Sequence, residues 1–101
     1  MRVHGPFNGR RVGLLTVPVT IYDLSMGGCL IHAFHEEPAG GRFTLDIELP
    51  IEGWIQLEAQ SLYVREGYGF AVNFVEMTET TRERLERAIA RLPHMTVTEP
   101  H

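Results

Sequence analysis

The sequence lacks several features that would assign it to common protein classes. No apolar run approaches the roughly 20 residues that a membrane-spanning helix needs, and the first residues lack the apolar stretch of a signal peptide. A single cysteine, Cys29, excludes an internal disulfide and favours a reducing compartment. Repeats and low-complexity stretches are also missing. These absences predict a single-domain cytoplasmic protein with no membrane partner.

The sequence also has no excess of basic residues over acidic ones. Nine Lys and Arg residues stand against 13 Asp and Glu residues, which gives a formal net charge of −4. Broad affinity for DNA or RNA needs a basic face that displaces counterions, so nucleic acid is not an expected partner. A small anionic ligand remains compatible with this charge, because two or three arginines in one place are enough to bind it.

The chain has the size and composition of one globular domain. It contains 101 residues, of which 44% are hydrophobic and 22% are charged. Short segments with period-2 alternation follow one another between turns that contain glycine or proline. The clearest segment places four apolar residues on one face: Phe43, Leu45, Ile47 and Leu49. The segments are too closely spaced for crossover helices, so we expect an antiparallel sheet whose edges are hidden in a small barrel or in two packed sheets.

The spacing of apolar residues becomes helical near residue 80. Thr80 and Glu83 fit a capping box. An apolar stripe follows at helical spacing: Leu85, Ala88, Ile89 and Leu92. We expect Pro93 to end this helix and residues 94–101 to form a flexible tail. The predicted fold class is therefore α+β and mostly β, with five or six antiparallel strands and a C-terminal helix.

One polar stretch, Asp23-Leu-Ser-Met-Gly-Gly28, lies between two apolar runs and has two interpretations. It is an ordinary turn if the Asp and Ser side chains bond nearby backbone amides and the glycines supply the turn geometry. It is a ligand site if Asp23 and Ser25 accept hydrogen bonds from the N1–H and amino groups of a guanine. Gly27 and Gly28 would then let the backbone approach the ligand closely. The stretch by itself leaves both interpretations open.

The order Asp-x-Ser-x-x-Gly, present here as Asp23, Ser25 and Gly28, resembles the motif of the PilZ domain, a bacterial receptor module for cyclic di-GMP. Residues 67–76 resemble the closing strand of that family, in which a C-terminal helix also follows. The resemblance covers nearly the whole chain. It implies a six-stranded antiparallel barrel over residues 12–93, preceded by an arginine-bearing segment of residues 1–11, which looks irregular.

The resemblance also implies two arginines before the first strand, separated by three residues, which grip the phosphates and stack on a guanine. This sequence departs from that spacing, because Arg10 and Arg11 are adjacent. They are nevertheless the candidates for the role, and a bend at Gly9 would let them fold over the nucleotide. We therefore expect one set of residues to bind cyclic di-GMP: Arg10, Arg11, Asp23, Ser25, Gly27 and Gly28.

The expected function is binding of cyclic di-GMP and relay of this second messenger to a protein effector. The alternative is a PilZ adaptor that binds no ligand and acts through protein–protein contacts alone. An outer row of Leu30, His32 and Phe34 would be either a second packing layer or a partner surface. A third interpretation, a barrel that binds oligonucleotides, is disfavoured by the acidic balance and the scarcity of adjacent exposed aromatics.

Neither a metal site nor a catalytic set is expected. His32 and His35 are three residues apart, which on a strand directs their side chains to opposite faces. Asp23 and Ser25 are too close in sequence for a catalytic triad, and no histidine is placed to act as their base. We therefore expect a protein that is not an enzyme and that uses no cofactor apart from its ligand.

Overall fold

The protein folds as a closed barrel followed by one helix. The computed structural model describes residues 2–33, 38–65 and 69–96. Its elements in chain order are β1 (Phe7–Val12), β2 (Val17–Tyr22), β3 (Gly28–His32), β4 (Arg42–Leu49), β5 (Gly53–Arg65), β6 (Gly69–Val75) and α1 (Glu79–Thr96). The strands close in the order β1-β2-β3-β6-β5-β4, and every neighbouring pair is antiparallel. The predicted fold class, a six-stranded antiparallel barrel with a C-terminal helix, is confirmed.

The core lies inside the barrel and is built from alternate residues of the strands. On β4, the four apolar residues that share a face in the sequence are all buried: Phe43, Leu45, Ile47 and Leu49. The stripe on α1 is buried as well: Leu85, Ala88, Ile89 and Leu92. Cys29 on β3 packs in the same core, and its burial raises the pKa of the thiol.

The N-terminal segment differs from the prediction that it is irregular. Residues Phe7–Val12 form β1, which pairs with β2 on one side and β4 on the other and so closes the barrel. Gly9 is not a hinge, because it is buried and a Cβ atom there would lie 2.8 Å from Cγ1 of Ile21. Glycine inside a strand here marks the close approach of a neighbouring side chain.

The N-terminus of α1 lies two residues earlier than the capping-box prediction. Oγ1 of Thr78, not of Thr80, accepts a hydrogen bond from the backbone N–H of Thr81 at 3.2 Å. The backbone N–H of Arg82 then donates to the Thr78 carbonyl at 2.9 Å. Thr78 is therefore the N-cap, and its hydroxyl satisfies an amide of the first turn that has no partner within the helix.

The C-terminus of α1 also differs from the prediction. The helix continues past Pro93 to Thr96. Proline lacks the N–H that would donate to the carbonyl four residues earlier, but three further residues remain helical here. Residues 97–101 of the expected tail lie outside the described residues. Among the helices of the described part of the chain, none is long and apolar enough to cross a membrane.

Candidate functional site

The segment before β1 reaches the Asp23–Gly28 stretch through a short backbone bridge. The N–H of Val3 donates to the Leu24 carbonyl at 2.8 Å, and the N–H of Leu24 donates to the Val3 carbonyl at 2.7 Å. Both side chains are buried, whereas Arg2 and His4 on either side of Val3 are exposed. The buried pair therefore anchors a cation and an imidazole next to the polar stretch.

Asp23 begins this stretch, which we call the motif turn (residues 23–28), with an unusual backbone conformation. Its φ of 51° lies in the left-handed region, which Asp adopts more readily than most residues. Its backbone N–H donates to the His4 carbonyl at 3.1 Å. One carboxylate oxygen, Oδ1, lies 3.0 Å from Nδ1 of His4, and the Asp23 side chain is 35% exposed. The carboxylate is thus held at the surface by a neighbour and remains accessible.

The remainder of the motif turn is closed by hydrogen bonds to one carbonyl. The backbone N–H and the hydroxyl of Ser25 both donate to the Gly28 carbonyl, at 2.9 and 3.2 Å. The Gly27 carbonyl accepts from the N–H of Phe74 at 2.9 Å, which ties the turn to β6. Gly28 is required by packing, because a Cβ atom there would lie 2.0 Å from the Val72 carbonyl oxygen. A hydroxyl that donates retains two acceptor lone pairs, so the turn geometry leaves Ser25 able to accept from a ligand.

A groove of about 370 Å³ opens beside the motif turn. Its polar lining comes from Arg2, Asp23, Ser25, Asn73 and the backbone at Gly28. Four further residues, which we call the apolar wall, also line the groove: Leu30, Leu62, Tyr63 and Ala71. The groove therefore joins a cation, a carboxylate and a hydroxyl to an apolar surface. This combination suits a ligand that has an anionic group and a flat base with donor groups at its edge.

Four of the predicted site residues meet at this groove, but Arg10 and Arg11 do not. Arg10 on β1 pairs in register with Pro18 on β2. Pro18 lies five residues before Asp23, which follows the end of β2. Five residues of strand correspond to about 16 Å. The adjacent arginines therefore lie towards the opposite end of the β1–β2 pair, and the expected proximity to Asp23 is not found.

Each arginine of the pair contacts an aromatic ring elsewhere on the barrel. The guanidinium of Arg10 donates to Oδ2 of Asp46 at 3.1 Å and lies 3.8 Å from the centroid of the Trp54 ring. That of Arg11 lies 5.2 Å from the centroid of the Phe43 ring. These contacts place both side chains in the β1–β4–β5 part of the barrel, where they stabilise the packing between strands.

Sequence reasoning missed Arg2 and His4. The available signal was Val3, an apolar residue between two polar ones, which is the alternation of a very short strand. Because the partner of Val3 is distant in sequence, the pattern could not show that this strand pairs with the motif turn. The spacing that the resemblance implies also set Arg2 aside, because it lies too far from Arg10 and Arg11 to match.

The histidines do not form a metal site in the part of the chain that the structure describes. His32 packs against the ring of Tyr22, with 4.5 Å between centroids. His35, the other histidine considered with His32, and Phe34 of the outer row lie outside the described residues. Within residues 2–33, 38–65 and 69–96, no three His, Cys, Asp or Glu residues gather in a way that could hold an ion.

Solved structures with the same fold include three from two bacteria. The PilZ domain of YcgR from Escherichia coli with c-di-GMP matches with a TM-score of 0.77 and 19% identity, over 95% of this chain and 91% of that chain. YcgR from Escherichia coli in complex with c-di-GMP matches with a TM-score of 0.76 and 21% identity, over 96% of this chain and 45% of that chain. The Bacillus subtilis inhibitor of motility MotI/DgrA matches with a TM-score of 0.75 and 18% identity, over 92% and 49%. The chain thus spans less than half of the last two proteins.

The family assignment comes from the sequence itself. A search among curated proteins gave no significant match. The family model of the PilZ domain, in contrast, matches residues 3–91. The match runs from the Val3 bridge through the motif turn and all six strands into α1. The chain therefore belongs to the PilZ domain family.

Proposed function

We propose that this chain is a bacterial cytoplasmic receptor for cyclic di-GMP and relays the signal to a protein effector. The observation that carries the proposal is the groove in which Arg2, Asp23 and Ser25 meet beside the apolar wall. The family membership and the two YcgR structures with c-di-GMP support the choice of ligand. The proposal assigns binding to the chain and no reaction.

In the proposed complex, the motif turn binds the edge of one guanine. The Asp23 carboxylate accepts from N1–H and the amino group, and the Ser25 hydroxyl accepts a further hydrogen bond. Hydrogen bonds to a charged group contribute roughly 1.5–3 kcal/mol each. The contact between His4 and Oδ1 leaves Oδ2 of Asp23 able to accept from the base. Gly27, which has no heavy atom within 4 Å of an added Cβ position, leaves space for the ligand beside the turn.

Arg2 is the residue that we assign to the phosphates. It lines the groove together with Asp23, and its planar guanidinium can bind phosphate oxygens through two parallel hydrogen bonds. The side chains of Arg10 and Arg11 lie away from the groove, on Trp54 and Phe43. The two arginines therefore have a structural role in this proposal, and Arg2 takes the role that the family motif gives to its arginines.

Calorimetric titration of the whole chain with cyclic di-GMP tests the proposal, with GTP and cyclic di-AMP as competing ligands. The most informative variant is Asp23→Asn, because asparagine tolerates the left-handed φ of 51°, whereas alanine at this position adds backbone strain. We expect Asp23→Asn to weaken binding about 10- to 150-fold, as for the loss of a charged hydrogen bond. Glu86→Gln, a charge-removing change at an exposed carboxylate on α1, is the matched control and should bind as the wild type does.

The same titration decides between the two functions. If the wild-type chain binds no cyclic di-GMP at high micromolar concentration, the receptor proposal is overturned. The remaining function is then that of an adaptor that binds no ligand. Binding that is equally strong in Asp23→Asn and the wild type would keep the receptor but remove the motif turn from the site. Equal affinity for GTP would show recognition of a guanine without recognition of the cyclic dinucleotide.

A further inference from the structure

The β5 strand changes its alternation where it borders the groove. Up to Ser61, every second residue of β5 is buried, and Ser61 itself is 2% exposed. The pairing with β6 then shifts by one residue between Ser61 and Tyr63, because Leu62 is an extra residue in a β-bulge. Without the bulge, Tyr63 would face the core. With it, Leu62 and Tyr63 are both directed outward and are 42% and 53% exposed.

The outward residues next to this bulge form a row with a small residue in its middle. Tyr63 on β5 is paired with Ala71 on β6, and Ala71 is paired with Leu30 on β3. A methyl group between two larger side chains makes a shallow floor. All three residues line the same groove as Asp23. The bulge thus places an aromatic ring beside the small side chain of Ala71.

We propose that Tyr63 is a base-stacking residue, presented by the β5 bulge, and that a purine of the bound nucleotide lies on Ala71 against its ring. The assignment rests on the proposed function and adds to it the recognition of the face of a base. Asp23 and Ser25 offer acceptors for the edge of a guanine, but an edge contact alone leaves both faces of the ring in water. A purine has a π-face that an aromatic side chain can cover, whereas phosphate and ribose have none.

The bulge supports this assignment over that of a simple surface tyrosine. A bulge removes a ladder hydrogen bond and leaves a residue unpaired, and in natural sheets such irregularities are common beside binding sites, where they redirect a side chain. Here the redirected side chain is the tyrosine, and the extra residue Leu62 extends the same wall.

Three substitutions at Tyr63 separate stacking from apolar contact. Tyr63→Phe keeps the ring, Tyr63→Leu keeps apolar area without the ring, and Tyr63→Ala removes both. We expect wild type and Tyr63→Phe to bind cyclic di-GMP alike, and Tyr63→Leu and Tyr63→Ala to bind about 5- to 150-fold more weakly, which is the effect of losing a base stack. Leu14→Ala, at a residue that is fully exposed in the β1–β2 connection, is the control and should not change affinity.

Each outcome of this series is decisive. Affinity that is unchanged in Tyr63→Ala overturns the proposal, and so does full affinity in Tyr63→Leu, which would show apolar contact without stacking. Nuclear Overhauser contacts between the Tyr63 ring protons and guanine H8 in the wild-type complex would confirm the stack directly. If the wild type binds no cyclic di-GMP, both the proposed function and the assignment of Tyr63 are wrong. If the wild type binds and the Tyr63 variants bind equally, only the assignment falls.

Discussion

Val3 and Leu24 are joined by two backbone hydrogen bonds, of 2.8 and 2.7 Å, and this bridge ties the segment before β1 to the motif turn beside the groove. The bridge determines where the positive charge of Arg2 lies, because a residue next to a paired strand position has little freedom to move along the barrel. It also holds the His4 ring 3.0 Å from the Asp23 carboxylate. The ligand chemistry of the groove therefore depends on pairing between segments that are distant in sequence.

The first prediction concerns Arg2. Arg2→Ala should weaken cyclic di-GMP binding about 10- to 150-fold, because the phosphates lose a charged hydrogen-bond donor. Added salt should weaken the wild type more than Arg2→Ala, since screening acts on the contact that the variant has lost. Titrations at two salt concentrations measure both effects. Arg82→Ala, at an exposed arginine on α1, is the control. Arg2→Ala and Arg82→Ala with the same affinity would exclude Arg2 from the site.

The second prediction concerns Arg10. Arg10→Ala should leave nucleotide affinity unchanged and lower the free energy of unfolding by roughly 1–3 kcal/mol, because the Asp46 carboxylate loses its charged partner. Asp46 is 8% exposed, and its other oxygen accepts from Nε2 of Gln56 at 3.1 Å. Urea denaturation gives the stability, and calorimetry gives the affinity. The double variant Arg10→Ala/Asp46→Asn should be destabilised by less than the sum of the single changes. A loss of affinity in Arg10→Ala at unchanged stability would return Arg10 to the ligand site.

Much of the fold was predictable because its signals are local. The alternation on β4 and the helical spacing of Leu85, Ile89 and Leu92 depend only on neighbours in the sequence, and the barrel buries those faces as predicted. The N-terminal strand was not predictable in the same way. A glycine at position 9 is typical of a hinge, but here glycine is required because the side chain of Ile21 packs over it. That requirement belongs to the partner strand and leaves no trace in the local pattern.

The candidate site was predictable in part for the same reason. The motif turn is contiguous, so Asp23, Ser25 and Gly28 could be identified together. The other side of the groove comes from β5 and β6, and the outward position of Tyr63 depends on one extra residue in β5. A bulge shifts the alternation by a single position, which a sequence pattern cannot distinguish from an irregular end of a strand.

The third prediction tests how α1 packs on the barrel. Leu85 is 0% exposed, so Leu85→Ala should lower the free energy of unfolding by about 2–5 kcal/mol through lost burial and the cavity that remains. Leu14→Ala removes the same atoms from a fully exposed side chain and should change stability by less than about 0.5 kcal/mol. Chemical denaturation of both variants gives the comparison. Similar stabilities for the two would mean that α1 does not pack on the core.

The last prediction uses the contact between α1 and the β4–β5 turn. Three arginines of the helix meet the single carboxylate of Glu52: Nε of Arg84 at 3.6 Å, Nη2 of Arg87 at 3.3 Å and Nη1 of Arg91 at 3.0 Å. The hydrogen bond from Arg87 is the main cause that holds the pKa of Glu52 below its usual range; the positive charges of Arg87 and Arg91 add to it, and desolvation opposes it. A carboxylate whose pKa is lower in the folded than in the unfolded chain stabilises the fold at neutral pH.

Glu52→Gln should therefore be less stable than the wild type at pH 7, and the difference should depend on pH in one direction. Above the pKa that Glu52 has in the unfolded chain, its carboxyl group is ionised in both the folded and the unfolded chain, and its contribution to stability is fully present. As the pH falls through the lowered pKa of the folded state, Glu52 becomes protonated in the wild type too, and the two unfolding curves should converge. Urea denaturation at a series of pH values measures this, with Glu86→Gln as the control for loss of an exposed carboxylate. A difference that stays constant down to low pH would mean that the substitution acts through something other than the charge of Glu52.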